Sequence, residues 1–438
     1  MFSWMNGWNQ PAADLPEEKR AGRVIPEVCR CEAGAGRYAV TVTLTAEKDC
    51  PEAILFVGKR HMVWHGAMKA GESRTLETTC LLAPAVPDNE QCFVLPDGID
   101  AAVAGAGVHI AGLRAKPAEL PCVFLMGDST VTEQTADVPY APGAVYAGWG
   151  QMLKYHLDNS VCVSDHAISG KTCEAFRAEG NYDNMLPLVR PGDLVLIQFG
   201  HNDQKRIQLQ ADTGYRERIL AYTRELRQLG ARPVLVTPLA RNLWFDDGAP
   251  NDLLQAYAAE LKKLAEEESL PLIDLHGWML DNILREGEEP VMLWYHDQDR
   301  THLNDFGACR CAGMIAEKLA ALKLCTRVPR EAWPFHGPHD ALTAPVKNAA
   351  LTENAVHKAE LKATAATPHS LTLVWDKPAD ATPDMTYCLM VNGRMVHSYE
   401  ENHCVLEGLA PDTLYELAVF DMPFGRMVAA VRERTKKA

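Results

Sequence analysis

Five short apolar runs, separated by helix-length segments, constrain this chain more than anything else in it. They are Cys122-Val123-Phe124-Leu125-Met126, Val161-Cys162-Val163, Leu194-Val195-Leu196-Ile197-Gln198-Phe199, Pro233-Val234-Leu235-Val236 and Leu272-Ile273-Asp274-Leu275. A strand that is apolar on successive residues is buried on both faces, which happens where helices cover both sides of a parallel sheet. Helix candidates near 149–157, 182–189, 213–229, 251–267 and 304–323 alternate with the runs, so right-handed crossovers are expected. In such a sheet a ligand sits beyond the carboxyl ends of the strands. The fold expected for residues 119–328 is therefore an α/β/α three-layer, flavodoxin-like fold with a parallel sheet.

The flanks read differently. Residues 1–118 carry short alternating runs such as Tyr38–Leu44 and Ile54–Val57 divided by Gly, Pro and Asp, the pattern of a β-sandwich. Pro329, Pro334, Pro338 and Pro345 mark residues 329–348 as a linker. Residues 349–438 alternate with period two again and resemble a fibronectin type III module, with Trp375 and Tyr415 at that family's core-Trp and tyrosine-corner positions. In the N-terminal unit, Trp64 and His65 could offer a sugar-stacking surface, but a core Trp is the expectation. The chain holds 43 Lys+Arg against 58 Asp+Glu, a formal charge of −15 that disfavours nucleic acid and anionic membranes as partners. No run approaches a membrane span and the first residues lack the signal-peptide pattern, so a soluble, cytoplasmic protein is expected. The 13 Cys include no C-x-x-C pair and are expected to be buried thiols in a reducing compartment.

Three strand ends carry groups suited to acyl transfer. The first run leads into Gly127-Asp128-Ser129, the second into Ile168-Ser169-Gly170-Lys171, and the third into Gly200-His201-Asn202-Asp203. Singly, each is an ordinary N-cap or turn. Together, the N–H groups of Ser129 and Gly170 and the Asn202 amide would make an oxyanion hole. A base comes from His296-Asp297-Gln298-Asp299-Arg300-Thr301-His302 ahead of the last helix. The three-residue spacing lets Asp299 hold Nδ1 of His302 while Nε2 faces Ser129; Asp297 is the competing acid. No metal site and no cofactor are expected, because a third ligand is not spaced nearby.

These blocks, in this order, resemble the SGNH (GDSL-type) hydrolase superfamily. The resemblance implies catalytic Ser129, His302 and Asp299, with Ser129, Gly170 and Asn202 as oxyanion donors. Gly148-Trp149-Gly150, Thr237-Pro238 and Arg241 add similarity to its rhamnogalacturonan acetylesterase group; Lys171 departs from that group's usual residue. The implied function is a serine esterase that removes O-acetyl groups from plant cell-wall oligosaccharides. Its substrate-binding residues would be Asp128, Trp149, Lys171, His201 and Arg241, with Lys205, Arg206 and Arg300 as further cations for an acidic substrate. An esterase of xylan-type, lipid or other acyl esters is the alternative, followed by a non-catalytic carbohydrate-binding protein. The absence of G-x-S-x-G argues against an α/β-hydrolase. Homo-oligomerisation through either outer unit is left open.

Overall fold

The structure, a computed structural model, describes residues 26–87, 93–134, 145–245, 248–296, 299–330, 360–378, 381–383, 385–422 and 427–438. Most of the linker expected at 329–348 lies outside these, as does Asp297.

All five expected central strands are present and parallel: β1 (Cys122–Gly127), β2 (Cys162–Asp165), β3 (Leu194–Gln198), β4 (Arg232–Val236) and β5 (Leu272–Ile273). Their order across the sheet is β2-β1-β3-β4-β5. That order reverses between β1 and β3, and a crevice opens at such a switch point beyond the strand ends. Side-chain alternation sorts β1 between two cores. Val123 and Leu125 join Trp149, Met152, Ile315 and Leu319 on one face, whereas Phe124 and Met126 join Tyr215, Ile219, Tyr222 and Leu261 on the other.

The helices follow from the same pattern. Apart from the short helices Asn181–Met185, which falls in the expected 182–189 segment, and Glu288–Val291, they are α1 (Trp149–Leu153), α2 (Cys173–Ala178), α3 (Arg216–Gln228), α4 (Gln255–Glu267), α5 (Leu275–Glu286) and α6 (Asp305–Ala321). On α3 the buried Ile219, Tyr222, Thr223 and Leu226 recur at helical spacing. Helix α5 was not expected, because Leu272–Leu275 reads as one strand. The Asp274 side chain instead caps the helix by accepting from Gly277 N at 3.0 Å, and Leu275, Met279 and Ile283 then form its buried stripe.

The flanks are β-rich, as the alternation indicates. The N-terminal region contains one sheet ordered Glu27–Glu32, Gly98–Ala104, Cys50–Val57, His61–Met68 and another ordered Ser73–Leu82, Gly36–Ala46, Val108–Pro117. Val42, Leu44, Leu55 and Val103 from both sheets share a core. Trp64 packs at its margin with the Arg74 guanidinium 5.1 Å from the ring centroid. The C-terminal region has a three-stranded and a four-stranded sheet around Leu371, Trp375, Leu389 and Leu417. There the Tyr415 hydroxyl accepts from Ala410 N at 2.7 Å, a tyrosine-corner contact. The described cysteines are unpaired and mostly buried.

Both flanks grip the central unit. The Arg37 guanidinium meets Asp193 through two bonds of 2.9 and 2.6 Å and donates to Leu120 O at 2.6 Å. Asp193 also accepts from Cys122 N and Arg190 N, so this buried pair is satisfied on both sides. On the C-terminal side Leu243 and Leu253 pack with Cys388, Met390, Ala418 and Phe420. Changing Asp193→Ala leaves the guanidinium buried without its counter-charge. Urea unfolding is expected to show a loss of about 3–5 kcal/mol; a loss below about 1 kcal/mol would mean that water replaces the carboxylate.

Candidate active site

Ser129 sits one residue beyond Asp128 at the carboxyl end of β1. A Cβ on Gly127 would lie 2.8 Å from Gln198 O, so the close approach of β1 and β3 there requires glycine. Asp128 is fully buried and fixes the turn, accepting from Thr130 N at 3.0 Å and Thr130 Oγ1 at 2.8 Å. Across the crevice, the Asp299–His302 segment folds on itself ahead of α6. Asp299 Oδ1 accepts from Thr301 N at 2.7 Å and His302 N at 2.9 Å, while Oδ2 is 2.6 Å from His302 Nδ1. His302 Nε2 is 2.7 Å from Ser129 Oγ. Hydroxyl, imidazole and carboxylate thus stand in line, an arrangement in which the ring can take the hydroxyl proton.

Burial raises the Asp299 carboxyl, but the His302 hydrogen bond and charge and the two backbone donors outweigh it and hold the group down at about 2. The imidazole therefore faces a carboxylate throughout the neutral range. Tyr146 frames the pair: its ring meets His302 edge-on at 5.9 Å, stacks on His296 at 3.5 Å, and its hydroxyl lies 3.4 Å from Asp299 Oδ2.

Gly170 and Asn202 follow the two strands that flank β1. Gly170 has φ +77°, in the left-handed region, and open space where a side chain would stand. Asn202 donates one amide hydrogen to Lys171 O at 3.1 Å. Among the described residues, neither Ser129 N nor Gly170 N meets an acceptor. Buried Asp203 ties these loops together, accepting from Cys173 N at 2.8 Å and Gly200 N at 2.9 Å; burial lifts its carboxyl to about 6 against those bonds.

The residues expected to touch substrate are buried. Trp149 is fully buried and donates Nε1 to Gln198 Oε1 at 2.9 Å, which makes it core. Asp128 is committed to Thr130 and to His201, whose Nδ1 lies 3.4 Å from its Oδ2. His201 is buried, with Nε2 2.9 Å from Leu239 O. The Lys171 ammonium is turned away into an ion pair with Glu179, and Arg300 pairs with Glu288. Arg241 is buried beneath Phe420, with its Nη2 donating to His201 O at 3.2 Å. Hence Trp149 and Lys171 spend their polar groups inside the protein, and Asp128, His201 and Arg241 are buried at the crevice floor.

Sequence reading missed the supports. Gln134 Nε2 donates to Ser129 O at 2.6 Å, and Arg60, on the N-terminal turn Gly58–His61 with φ +56°, donates Nη1 to Gln134 O at 2.6 Å. Beside it, Lys59 and His61 face Glu133 at 3.7 and 3.1 Å. The N-terminal unit thus reaches the Ser129 loop through one intermediate residue. No local motif announces this; only the unusual Gly58-Lys59-Arg60-His61 tetrapeptide between two apolar strands could have drawn notice.

A sequence profile of the GDSL-like Lipase/Acylhydrolase family matches residues 125–308, which include every group in this crevice. The chain belongs to that family of SGNH hydrolases and is a carboxylic ester hydrolase. The probable rhamnogalacturonan acetylesterase YesY of Bacillus subtilis (strain 168) is 32% identical over 210 residues, 46% of this chain and 94% of the relative. The rhamnogalacturonan acetylesterase RhgT of the same organism is 32% identical over 217 residues, 46% of this chain and 90% of its own length. A solved structure of the Bacillus subtilis protein YxiM is 23% identical, covering 68% of this chain and 81% of that chain with a TM-score of 0.44.

The Asp299 environment has a stability consequence. Its carboxyl is lowered from 3.8 to about 2 on folding, so its contribution is complete above pH 4 and disappears as pH falls through the folded value. Unfolding of wild type and Asp299→Asn is expected to differ by about 2 kcal/mol at pH 6 and to converge towards pH 2. A difference independent of pH would assign the effect to packing.

Proposed function

We propose that this enzyme is a serine acetylesterase that removes O-acetyl groups from acetylated plant cell-wall oligosaccharides, pectic rhamnogalacturonan fragments above all. The observation that carries the proposal is the unbroken line from Ser129 Oγ through His302 to Asp299, with contacts of 2.7 and 2.6 Å. The substrate class is supported by the names of the two acetylesterase relatives.

In this reading Ser129 Oγ attacks the acetyl carbonyl while His302 Nε2 takes its proton. The charge that develops on the carbonyl oxygen is met by Ser129 N, Gly170 N and the free hydrogen of the Asn202 amide. His302 returns the proton to the departing sugar hydroxyl, leaving an acetyl-serine. Water, deprotonated by the same imidazole, releases acetate and regenerates Ser129. Asp299 fixes the tautomer and steadies the imidazolium. Residues 119–328 carry the chemistry, and we read the paired sheets on either side as two sandwiches, the second of fibronectin type III kind.

The test is acetate release by wild type and Ser129→Ala from acetylated rhamnogalacturonan oligomers, acetylated xylo-oligomers and p-nitrophenyl esters of two and eight carbons. Serine-dependent release from the pectic oligomers is expected, with Ser129→Ala slower by about 10⁴-fold or more. Equal turnover by the variant would overturn the mechanism; release confined to xylan or to the longer ester would move the substrate. Asp299→Asn should lower kcat by about 10³–10⁴-fold, since the wrong imidazole tautomer then faces Ser129.

A further inference from the structure

We infer that the cleft between the esterase unit and the C-terminal sheets, lined by Lys205, Arg206, Thr386 and Ser398, is a subsite for a carboxylate-bearing sugar, a uronate, of the same saccharide whose ester reaches Ser129. The inference rests on the proposed function for its substrate and on the following observations for its site.

The cleft has a volume of about 440 Å³, room for a monosaccharide unit, with Met395 and Met422 as its apolar surfaces. Its position is fixed relative to the chemistry. Lys205 closes the single turn Asp203–Lys205 that begins immediately after Asn202, so the cleft starts one turn away from the oxyanion donor. In a chain of net charge −15, most cations of the central unit are paired: Arg216 with Glu260, Arg218 with Glu174, Arg300 with Glu288 and Lys171 with Glu179. Lys205 and Arg206 are exceptions, since neither side chain has an ion-pair or hydrogen-bond partner among the described residues. Two adjacent unpaired cations, with two hydroxyls across the cleft, provide the donors that a sugar carboxylate and its neighbouring hydroxyls require.

Phe420 of the C-terminal unit stands beside Lys205. Its ring lies 5.8 Å from Lys205 Nζ and 5.5 Å from the Arg241 guanidinium carbon. Arg241 adds positive potential behind the ring, with Nε and Nη1 buried and unpartnered. The field is therefore set up before any ligand arrives. Burial and Arg241 press the Lys205 ammonium down to about 7, against the opposing pull of Asp128, Cys388 and Asp421. A carboxylate seated beside it restores the proton.

The experiment is calorimetric titration of the full chain carrying Ser129→Ala with a galacturonate trisaccharide and, as neutral control, xylotriose. The acidic sugar is expected to bind at least tenfold more tightly, with net proton uptake at pH 8 in buffers of different ionisation enthalpy. Lys205→Met, on the same background, should weaken acidic binding about tenfold or more and abolish the proton uptake. Arg206→Met, at an exposed position, should weaken it in the same direction. Equal affinity for the two sugars, binding of neither, or acidic binding unchanged in both variants overturns the subsite. The two proposals fail separately. Serine-dependent acetate release with no charge discrimination removes the subsite and keeps the esterase, whereas charge-selective binding without acetate release keeps the subsite and removes the acetylesterase reading.

Discussion

A buried chain of hydrogen bonds under the carboxyl edge of the sheet is the constraint on which the crevice depends. Trp149 Nε1 donates to Gln198 Oε1, Gln198 Nε2 to Thr130 Oγ1 at 2.6 Å, and Thr130 Oγ1 to Asp128 Oδ1. His201 stands next to its end, with Nδ1 3.4 Å from Asp128 Oδ2 and Nε2 2.9 Å from Leu239 O. Trp149, Gln198, Thr130 and Asp128 are fully buried, so a partner lost from the chain would leave a polar atom without water. The chain crosses the ends of β1, β3 and β4, and thereby fixes the Ser129 turn against the Asn202 loop before any substrate binds. Burial opposes both ionic members: it raises Asp128 and lowers His201, while their mutual attraction works the other way, and the carboxyl stays below its usual range.

The second level of support comes from outside the sheet. Arg60 reaches Ser129 by way of Gln134, and Arg37 grips Asp193, whose carboxylate also receives Cys122 N at the opposite, entry end of β1. The strand that ends at Ser129 is therefore held at its start by one N-terminal arginine and at its exit by another. Rigid placement of this kind matters for acyl transfer, because donors aimed at a developing charge are effective when they need not reorganise.

What the sequence revealed follows from periodicity and local spacing. The five strands of the central sheet, most of its helices and the contacts of Ser129, His302 and Asp299 were legible, because these residues lie at a strand end or within a three-residue turn. Helix α5 was hidden because Asp274, which reads as the continuation of a strand, acts as a cap. The burial of the expected substrate contacts has one cause. Trp149, His201 and Arg241 are polar or amphipathic residues beside catalytic blocks, and sequence cannot tell a group that faces the crevice from one that faces the network beneath it. Likewise nothing local links Gln134 to Arg60, or Phe420 to Arg241, since those pairs are made only when separate units meet.

The meeting of Phe420 with Arg241 bears on how such a chain can change over generations. The C-terminal sheets contribute Cys388, Met390, Ala418 and Phe420 to a patch whose other half is Leu243 and Leu253 of the esterase unit. Selection acting on the outer sheets therefore acts on the crevice wall as well. A recombinant that exchanged those sheets for an unrelated module of the same architecture would inherit an esterase with bare leucines and an arginine opened to water. The two halves are heritable as one surface, and drift in either is answerable to the other.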